Sequence, residues 1–179
     1  MKNKALLFIT QTALTIAFLT GWQIITKPLS PMITGTGVNF ILILATVVCS
    51  CQTGLCTAVI APVTAAFFGF PPFWILVPFI MLGNVVLVMV WSSLRDIAGN
   101  NTRVRAITSG IIVIIFAALT KFGVLYAGVN FVAASLSKTA LPPPVLAAFS
   151  FPQLFTASLG GILAFMTVPI VNKALSNRN

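Results

Sequence analysis

Apolar residues run along this chain in long blocks, which short polar or Gly/Pro-rich segments separate. A helix needs about 20 apolar residues to cross a bilayer, because each residue adds about 1.5 Å. Hydrocarbon offers no water to the backbone, so a spanning segment must form its hydrogen bonds internally, as a helix does. The pattern predicts an all-α integral membrane protein with one membrane domain, residues 1–179.

The blocks predict six transmembrane helices, at about residues 5–26, 38–50, 54–69, 73–94, 104–127 and 150–171. The second and third helices come from one apolar stretch, Val38–Phe70, which the segment Cys49–Gly54 interrupts. That stretch admits either one long crossing or two short helices, which would give five or six spans.

The distribution of Lys and Arg decides between five spans and six, because cytoplasmic segments carry an excess of both. Six spans place Lys27 and Lys138 on one side and seven basic residues on the other: Lys2, Lys4, Arg95, Arg103, Arg105, Lys173 and Arg178. Five spans would separate the Arg-rich segment from Lys2 and Lys4. We therefore predict six helices with both N- and C-termini cytoplasmic.

The net charge of +9 is also typical of nucleic-acid binding. Here, however, the basic residues are scattered at predicted helix ends, without a basic stripe or an RNA-binding motif. We interpret them as topology determinants and expect no nucleic acid partner. The basic N-terminus also resembles a secretory signal, but no Ala-x-Ala ends its apolar run, so we expect a retained first helix.

Only one acidic residue, Asp96, and no Glu or His occur in the 179 residues. General acid–base catalysis relies mainly on His, Glu and Asp, and proton-driven carriers use intramembrane acids or His. Metal sites need clusters of His, Cys or carboxylates. We therefore expect no enzymatic activity, cofactor or metal, and we expect Asp96 to pair with Arg95 or Arg103 as a solvated charge.

Three cysteines, Cys49, Cys51 and Cys56, lie close together in the sequence, with no His or acid near them. We interpret them as small, soft residues that pack between helices. A disulfide between Cys49 and Cys56 stays open at this point.

Polar and aromatic residues gather toward the predicted outer ends of the helices. The candidate substrate-binding residues among them are Asn39, Trp74, Asn84, Lys121, Tyr126, Asn130 and Gln153. Asn84 and Lys121 are the strongest candidates, because an amide or an ammonium inside a span needs partners or a cavity. Trp and Tyr at helix ends are also typical of the membrane interface. The set predicts an outward-facing cavity lined by aromatic and amide groups.

The side chain of Lys121 has two interpretations, since it either faces this cavity or snorkels to the outer surface near Tyr126. Tyr126 and Asn130 share a helix face, whereas Lys121 points about 140° away from Tyr126 at about 100° per residue. An unbent helix cannot aim all three at one point. A cavity that contains Lys121 would favour a carboxylate-bearing compound. Trp22 and Gln23 lie at the same outer end.

Small residues recur every fourth position on the first predicted helix, at Ala13, Ala17 and Gly21. Positions four apart share a helix face, and small side chains let a second helix approach closely. The last predicted helix carries a similar stripe. Either stripe suits docking of a partner or packing within this chain; the second consists of Ala157, Gly161 and Ala164.

With Ala13-Leu-Thr-Ile-Ala17, its length and its six predicted spans, the chain resembles the substrate-binding S-components of energy-coupling factor (ECF) vitamin transporters. The segments Val77–Asn84 and Phe151–Gln153, with Gly160 and Gly161, resemble the folate, pantothenate and related branch. The resemblance implies a multi-pass protein of the bacterial cell membrane. In that family an Ala-x-x-x-Ala motif on the first helix docks the transmembrane coupling subunit, or T-component.

The resemblance also implies partners and a cycle. An S-component binds a water-soluble vitamin outside, docks on the T-component and topples in the membrane, while two cytoplasmic ATP-binding-cassette ATPases supply the energy. The family's substrate loops correspond by position to residues 28–38, 69–74 and 128–147. No Gly-x4-Gly-Lys phosphate loop occurs in this sequence, so ATP hydrolysis is expected on the partners.

Two other classes of membrane protein are alternatives to this one. A self-sufficient small carrier or channel, or a membrane scaffold, is the main alternative, and internal inverted repeats would favour a carrier. A lipid-modifying membrane enzyme would need clustered acids or His, and only Asp96 is available.

Overall fold

The computed structural model describes residues 2–94, 103–133, 135 and 141–177. These ranges are helical and contain no strand. A π-helical segment, Ala45–Cys49, continues α2, a second one, Gly128–Ala133, follows α5, and a 3-10 turn, Trp74–Leu76, precedes α4. The α-helices are α1 (Lys2–Thr26), α2 (Pro31–Leu44), α3 (Cys51–Phe67), α4 (Val77–Leu94), α5 (Arg103–Ala127), α6 (Pro143–Ala148) and α7 (Phe151–Ser176).

Five helical segments of the described chain are long and apolar enough to cross a membrane, namely those that contain α1, α2, α4, α5 and α7. Helix α3 is also apolar but has 17 residues. At about 1.5 Å per residue it extends about 25 Å, slightly less than a hydrocarbon core of about 30 Å. The predicted all-α membrane class is confirmed.

The exterior of this fold differs from that of a water-soluble protein, although its core is also largely apolar. Polar side chains lie inside, including Asn39, Asn84 and Lys121 as well as several threonines. Large apolar side chains point outward, such as Leu14 and Phe18, which are 65% and 64% exposed. Such a continuous apolar exterior is a liability in water but matches lipid. The surface therefore fits a multi-pass membrane protein.

Helix α2 begins earlier than the predicted residue 38, at Pro31. Ser30 has an extended backbone and accepts a hydrogen bond from the Met32 N–H at 3.2 Å, while Pro31 takes the first turn, where no N–H donor is needed. The prediction of a loop before Val38 was wrong because this local cap outweighs the Gly- and Thr-rich composition of the segment.

The apolar stretch that admitted one or two helices forms two, and Ser50 separates them. Its hydroxyl accepts the Thr53 N–H at 3.0 Å and thereby caps α3. With its π-helical end, α2 covers 19 residues and is not short. The cysteines beside this break carry free thiols, and the disulfide left open by the sequence is not formed: Cys49, Cys51 and Cys56.

Further boundaries also differ from the prediction: α1 begins at Lys2, α3 covers Cys51–Phe67 and α4 begins at Val77. Helix α7 continues to Ser176, past the predicted end near residue 171, and α6 forms a short helix inside the predicted loop before it. The predicted pairing of Asp96 with Arg95 or Arg103, and the position of Lys138, lie outside what the structure describes.

Helix α1 packs on α3 through paired threonine hydroxyls. Thr15 and Thr57 approach to 2.8 Å between their Oγ1 atoms, and Thr20 and Thr64 approach to 2.7 Å. Interhelical hydroxyl bonds of this kind associate helices in lipid, where apolar side chains gain little from meeting each other. These two bonds fix the rotation of α1 about its own axis.

This rotation turns the small-residue stripe of α1 outward. Ala13 and Ala17 are exposed, and a Cβ atom at Gly21 would meet nothing within 4 Å. The stripe of α7 is internal instead, because Ala157 and Ala164 are buried. The structure therefore separates two stripes that were equivalent in the sequence.

Gly160 brings the backbones of α7 and α2 together. A Cβ atom at this position would lie 2.6 Å from Cβ of Asn39, 2.8 Å from the carbonyl oxygen of Thr36 and 2.9 Å from the backbone nitrogen of Phe40. Two of these three atoms belong to helix backbone and cannot move independently. Only glycine allows this approach, which sets the position of Asn39.

We expect Gly160→Ala to lower the thermal unfolding temperature of the detergent-solubilised protein, because such overpacking costs about 1–3 kcal/mol. Gly123→Ala is the matched control, since it makes the same change in a helix where a Cβ would meet nothing within 4 Å. The unfolding temperature of Gly160→Ala should be clearly lower than that of Gly123→Ala. Equal unfolding temperatures would contradict the α2–α7 contact.

Candidate functional site

A cavity of about 240 Å³ lies at one end of the helix bundle. Its lining comes from the C-terminal ends of α1 and α5, the N-terminal ends of α2, α4 and α7, helix α6 and the turn after α3. This end is opposite to the one where α1 begins and α7 ends. Most of the lining is apolar, including Phe70 and Phe149; its polar members are Gln23, Thr34, Asn84, Lys121 and Gln153.

Lys121 is the centre of a polar cluster beside this cavity. Its side chain is 3% exposed, and its ammonium donates to Oδ1 of Asn39 at 2.5 Å and to Oδ1 of Asn84 at 2.7 Å. Both amides are buried. Asn39 in turn donates through Nδ2 to the Thr156 hydroxyl at 3.4 Å. Side chains from α5, α2, α4 and α7 thus meet at one point.

The local sequence of each helix places these side chains. Gly160 admits Asn39 to the α2–α7 contact, as described above. Gly83, directly before Asn84, packs on Leu125, whose side chain lies 2.8 Å from the position that a Cβ atom would take. Leu125 follows Lys121 by one helical turn on α5, so the α4–α5 contact brings Asn84 and Lys121 together.

The electrostatics of the cluster are unbalanced. No described residue carries a carboxylate, because the only acid of the chain, Asp96, lies outside the described ranges. The Lys121 ammonium therefore has amide oxygens as partners and no counter-ion in the described part of the chain. An ammonium has three N–H bonds, and the two amides accept two of them.

Two polar atoms of the lining lack partners. Nδ2 of Asn84 and Oε1 of Gln23 are buried and have no hydrogen-bond partner among the described residues. Buried polar atoms are paired in the great majority of cases, and an exception calls for an explanation. Both atoms belong to residues that line the cavity, as does the Lys121 ammonium.

Four of the seven sequence-predicted site residues belong to this region. Asn84, Lys121 and Gln153 line the cavity, and Asn39 lies directly behind Lys121. Gln153 donates through Nε2 to the Ala148 carbonyl at 3.0 Å. Lys121 is inside the bundle, so the alternative in which it snorkels to the surface is wrong.

The other three lie outside the cavity lining. Trp74 is 55% exposed and makes an edge contact with Phe67, while Tyr126 is 39% exposed and packs on Phe122. Asn130 donates to the Tyr126 carbonyl at 3.1 Å. The divergence of Lys121 and Tyr126 agrees with the angle predicted for an unbent helix.

Gln23 was noted at the outer end in the sequence but was not among the predicted site residues. The signal for it was the same as for Asn84, an amide inside an apolar span. Thr156 and helix α6 gave no such signal, because threonine is common in membrane helices and the segment before residue 150 is rich in proline.

Fold and site together define an all-α multi-pass membrane protein with a buried lysine at a ligand-sized cavity. The chain matches no protein-family model, no curated protein sequence and no solved structure.

We expect Lys121→Met to destabilise the protein, because it leaves Oδ1 of Asn39 and of Asn84 buried without their donor. Each unsatisfied buried group costs about 1–3 kcal/mol. Lys173→Met, at an exposed position near the end of α7, should leave the unfolding temperature unchanged. A further change of both asparagines to Leu should recover part of the loss, and no recovery would show that Lys121 acts through other contacts.

Proposed function

We propose that this protein is the substrate-binding S-component of an ECF-type importer in the bacterial cell membrane, and that its substrate is a small, water-soluble, carboxylate-bearing vitamin or related micronutrient. The protein itself is not an enzyme in this proposal. It binds the substrate from outside the cell and presents it to a T-component and two cytoplasmic ATPases.

The observation that carries this proposal is the Lys121 ammonium at the cavity wall, which has no counter-ion among the described residues. Burying a charge is costly unless it is paired, and an ionisable residue at membrane depth is by default a functional-site hypothesis. A substrate carboxylate would supply the missing negative charge and form charge-assisted hydrogen bonds with Lys121 and with Nδ2 of Asn84.

The size and lining of the cavity support a small organic substrate over an inorganic ion. The volume of about 240 Å³ is close to the lower end of the range of ligand pockets, about 300–1,000 Å³, and far exceeds the space that a single ion needs. The lining is mostly apolar with a few polar groups, as in pockets for organic ligands. Phe70 and Phe149 provide aromatic surface for the body of such a compound.

The outward-facing stripe of α1 supports the docking part of the proposal. Ala13 and Ala17 are exposed where a membrane protein of one chain would gain nothing from small residues, and their neighbours Leu14 and Phe18 are large. Small side chains allow the backbone of a second helix to approach closely. The α1 face formed by Ala13, Ala17 and Gly21 is therefore the proposed contact with the T-component.

The substrate can be identified by mass spectrometry of ligand that co-purifies with the protein. We expect a carboxylate-bearing compound bound 1:1 without ATP, and we expect Lys121→Met to weaken its binding at least about tenfold, since hydrogen bonds to charged groups contribute about 1.5–3 kcal/mol. Lys173→Met is the control. A screen of water-soluble vitamins in which only neutral or cationic compounds bind would contradict the role of Lys121.

We expect Ala13→Trp and Ala17→Trp to abolish uptake of that substrate in cells while binding to the purified protein stays intact. An indole on this face would prevent close approach of the T-component. Met166→Trp adds the same indole at a lipid-exposed position on α7 and should support normal uptake. Normal uptake by both alanine variants would refute docking through this face.

A further inference from the structure

The side chain of Gln23 is a buried amide near the C-terminal end of α1. It is 3% exposed and lines the cavity, and its Oε1 atom has no hydrogen-bond partner among the described residues. The threonine bonds that orient α1 against α3 also hold Gln23 in place. Oε1 of Gln23 is therefore a buried hydrogen-bond acceptor in the cavity wall that has no donor among the described residues.

None of the other polar groups described around the cavity donates a hydrogen bond to Oε1 of Gln23. The Thr34 hydroxyl, which lines the same cavity, donates toward the carbonyl oxygens of Thr26 and Ser30 at 3.2 and 3.1 Å. Nε2 of Gln153 donates to Ala148. Nδ2 of Asn84 has no partner among the described residues and therefore does not donate to Gln23, and two N–H bonds of Lys121 are held by the asparagines. A donor for Gln23 is therefore expected from the occupant of the cavity.

We propose that Gln23 is a specificity-determining residue, whose Oε1 accepts a hydrogen bond from an N–H or O–H group of the bound carboxylate compound. This inference rests on the proposed function and narrows its substrate class. The substrate is a small carboxylic acid that also carries an amide N–H or a hydroxyl group, separated from the carboxylate by an apolar portion.

The physical basis of this selectivity is the cost of an unpaired buried group. A site built to hydrogen-bond a substrate N–H or O–H strongly rejects the analogue that lacks it, because binding then leaves the acceptor unpaired. Lys121 and Asn84, on α5 and α4, offer donors, whereas Gln23, on α1, offers an acceptor. A compound with an oxyanion and a separate N–H or O–H group can form hydrogen bonds with both sides of the cavity.

Matched acids that differ only by exchange of N–H for CH₂ test this directly. The first pair is hippurate and 3-benzoylpropionate, whose phenyl group suits the aromatic lining, and the second is N-acetyl-β-alanine and 5-oxohexanoate. Binding to the purified full-length protein is measured by calorimetry and thermal shift. We expect the N–H member of at least one pair to bind at least tenfold more tightly.

Gln23→Met removes the acceptor while keeping a side chain of similar shape. We expect this variant to lose the preference within the pair and to keep an unfolding temperature, without ligand, at or above that of the wild type, since an unpaired buried acceptor is removed. Gln11→Met, the same change at a half-buried site on α1 about three turns away, should keep the preference. A merely structural role for Gln23 would instead lower the unfolding temperature.

Three results would each overturn the role of Gln23. The wild-type protein could bind both members of each pair equally, it could bind none of the four compounds, or the Gln23→Met variant could keep the preference. The proposed function is tested separately by the co-purified ligand. A co-purified carboxylate without an N–H or O–H donor would leave the transport proposal standing and remove this inference. A co-purified cation would remove both.

Discussion

The constraint on which this structure depends is that lipid offers no hydrogen bonds and no counter-charge. Every polar group inside the bundle must find a partner within the protein or within a cavity. This requirement is strongest for Lys121, because its ammonium on α5 needs acceptors from two other helices. Asn39 and Asn84 provide them, and the resulting cluster fixes how α2, α4 and α5 meet.

Close helix packing at glycines makes this convergence geometrically possible. Gly160 lets α7 reach the backbone of α2 beside Asn39, and Gly83 lets α5 approach α4 beside Asn84. Threonine pairs then set the rotation of α1 against α3. Since six residues at about 100° each put Gln23 about 120° around α1 from Ala17, one helix reaches the cavity and also offers an outward small-residue face.

The sequence predicted the helices well and their ends less well. Long apolar blocks with few charges leave no alternative to spanning helices, whereas the start of α2 depended on a single cap at Ser30. The cost of burying Asn84 and Lys121 also marked them correctly as residues that need partners. Trp74 and Tyr126 carried a weaker signal, because aromatic residues at helix ends serve the membrane interface equally well, and both are substantially exposed.

The sequence alone determined the class of this protein, since hydropathy and charge act locally and add along the chain. It also showed that almost no acid is available to balance a buried lysine. Only the tertiary structure decided that Lys121 faces inward, that the α1 stripe is exposed while the α7 stripe is packed, and that Oε1 of Gln23 has no partner within the described ranges. Each of these depends on the rotation of a helix about its axis, and contacts between residues far apart in the sequence set that rotation.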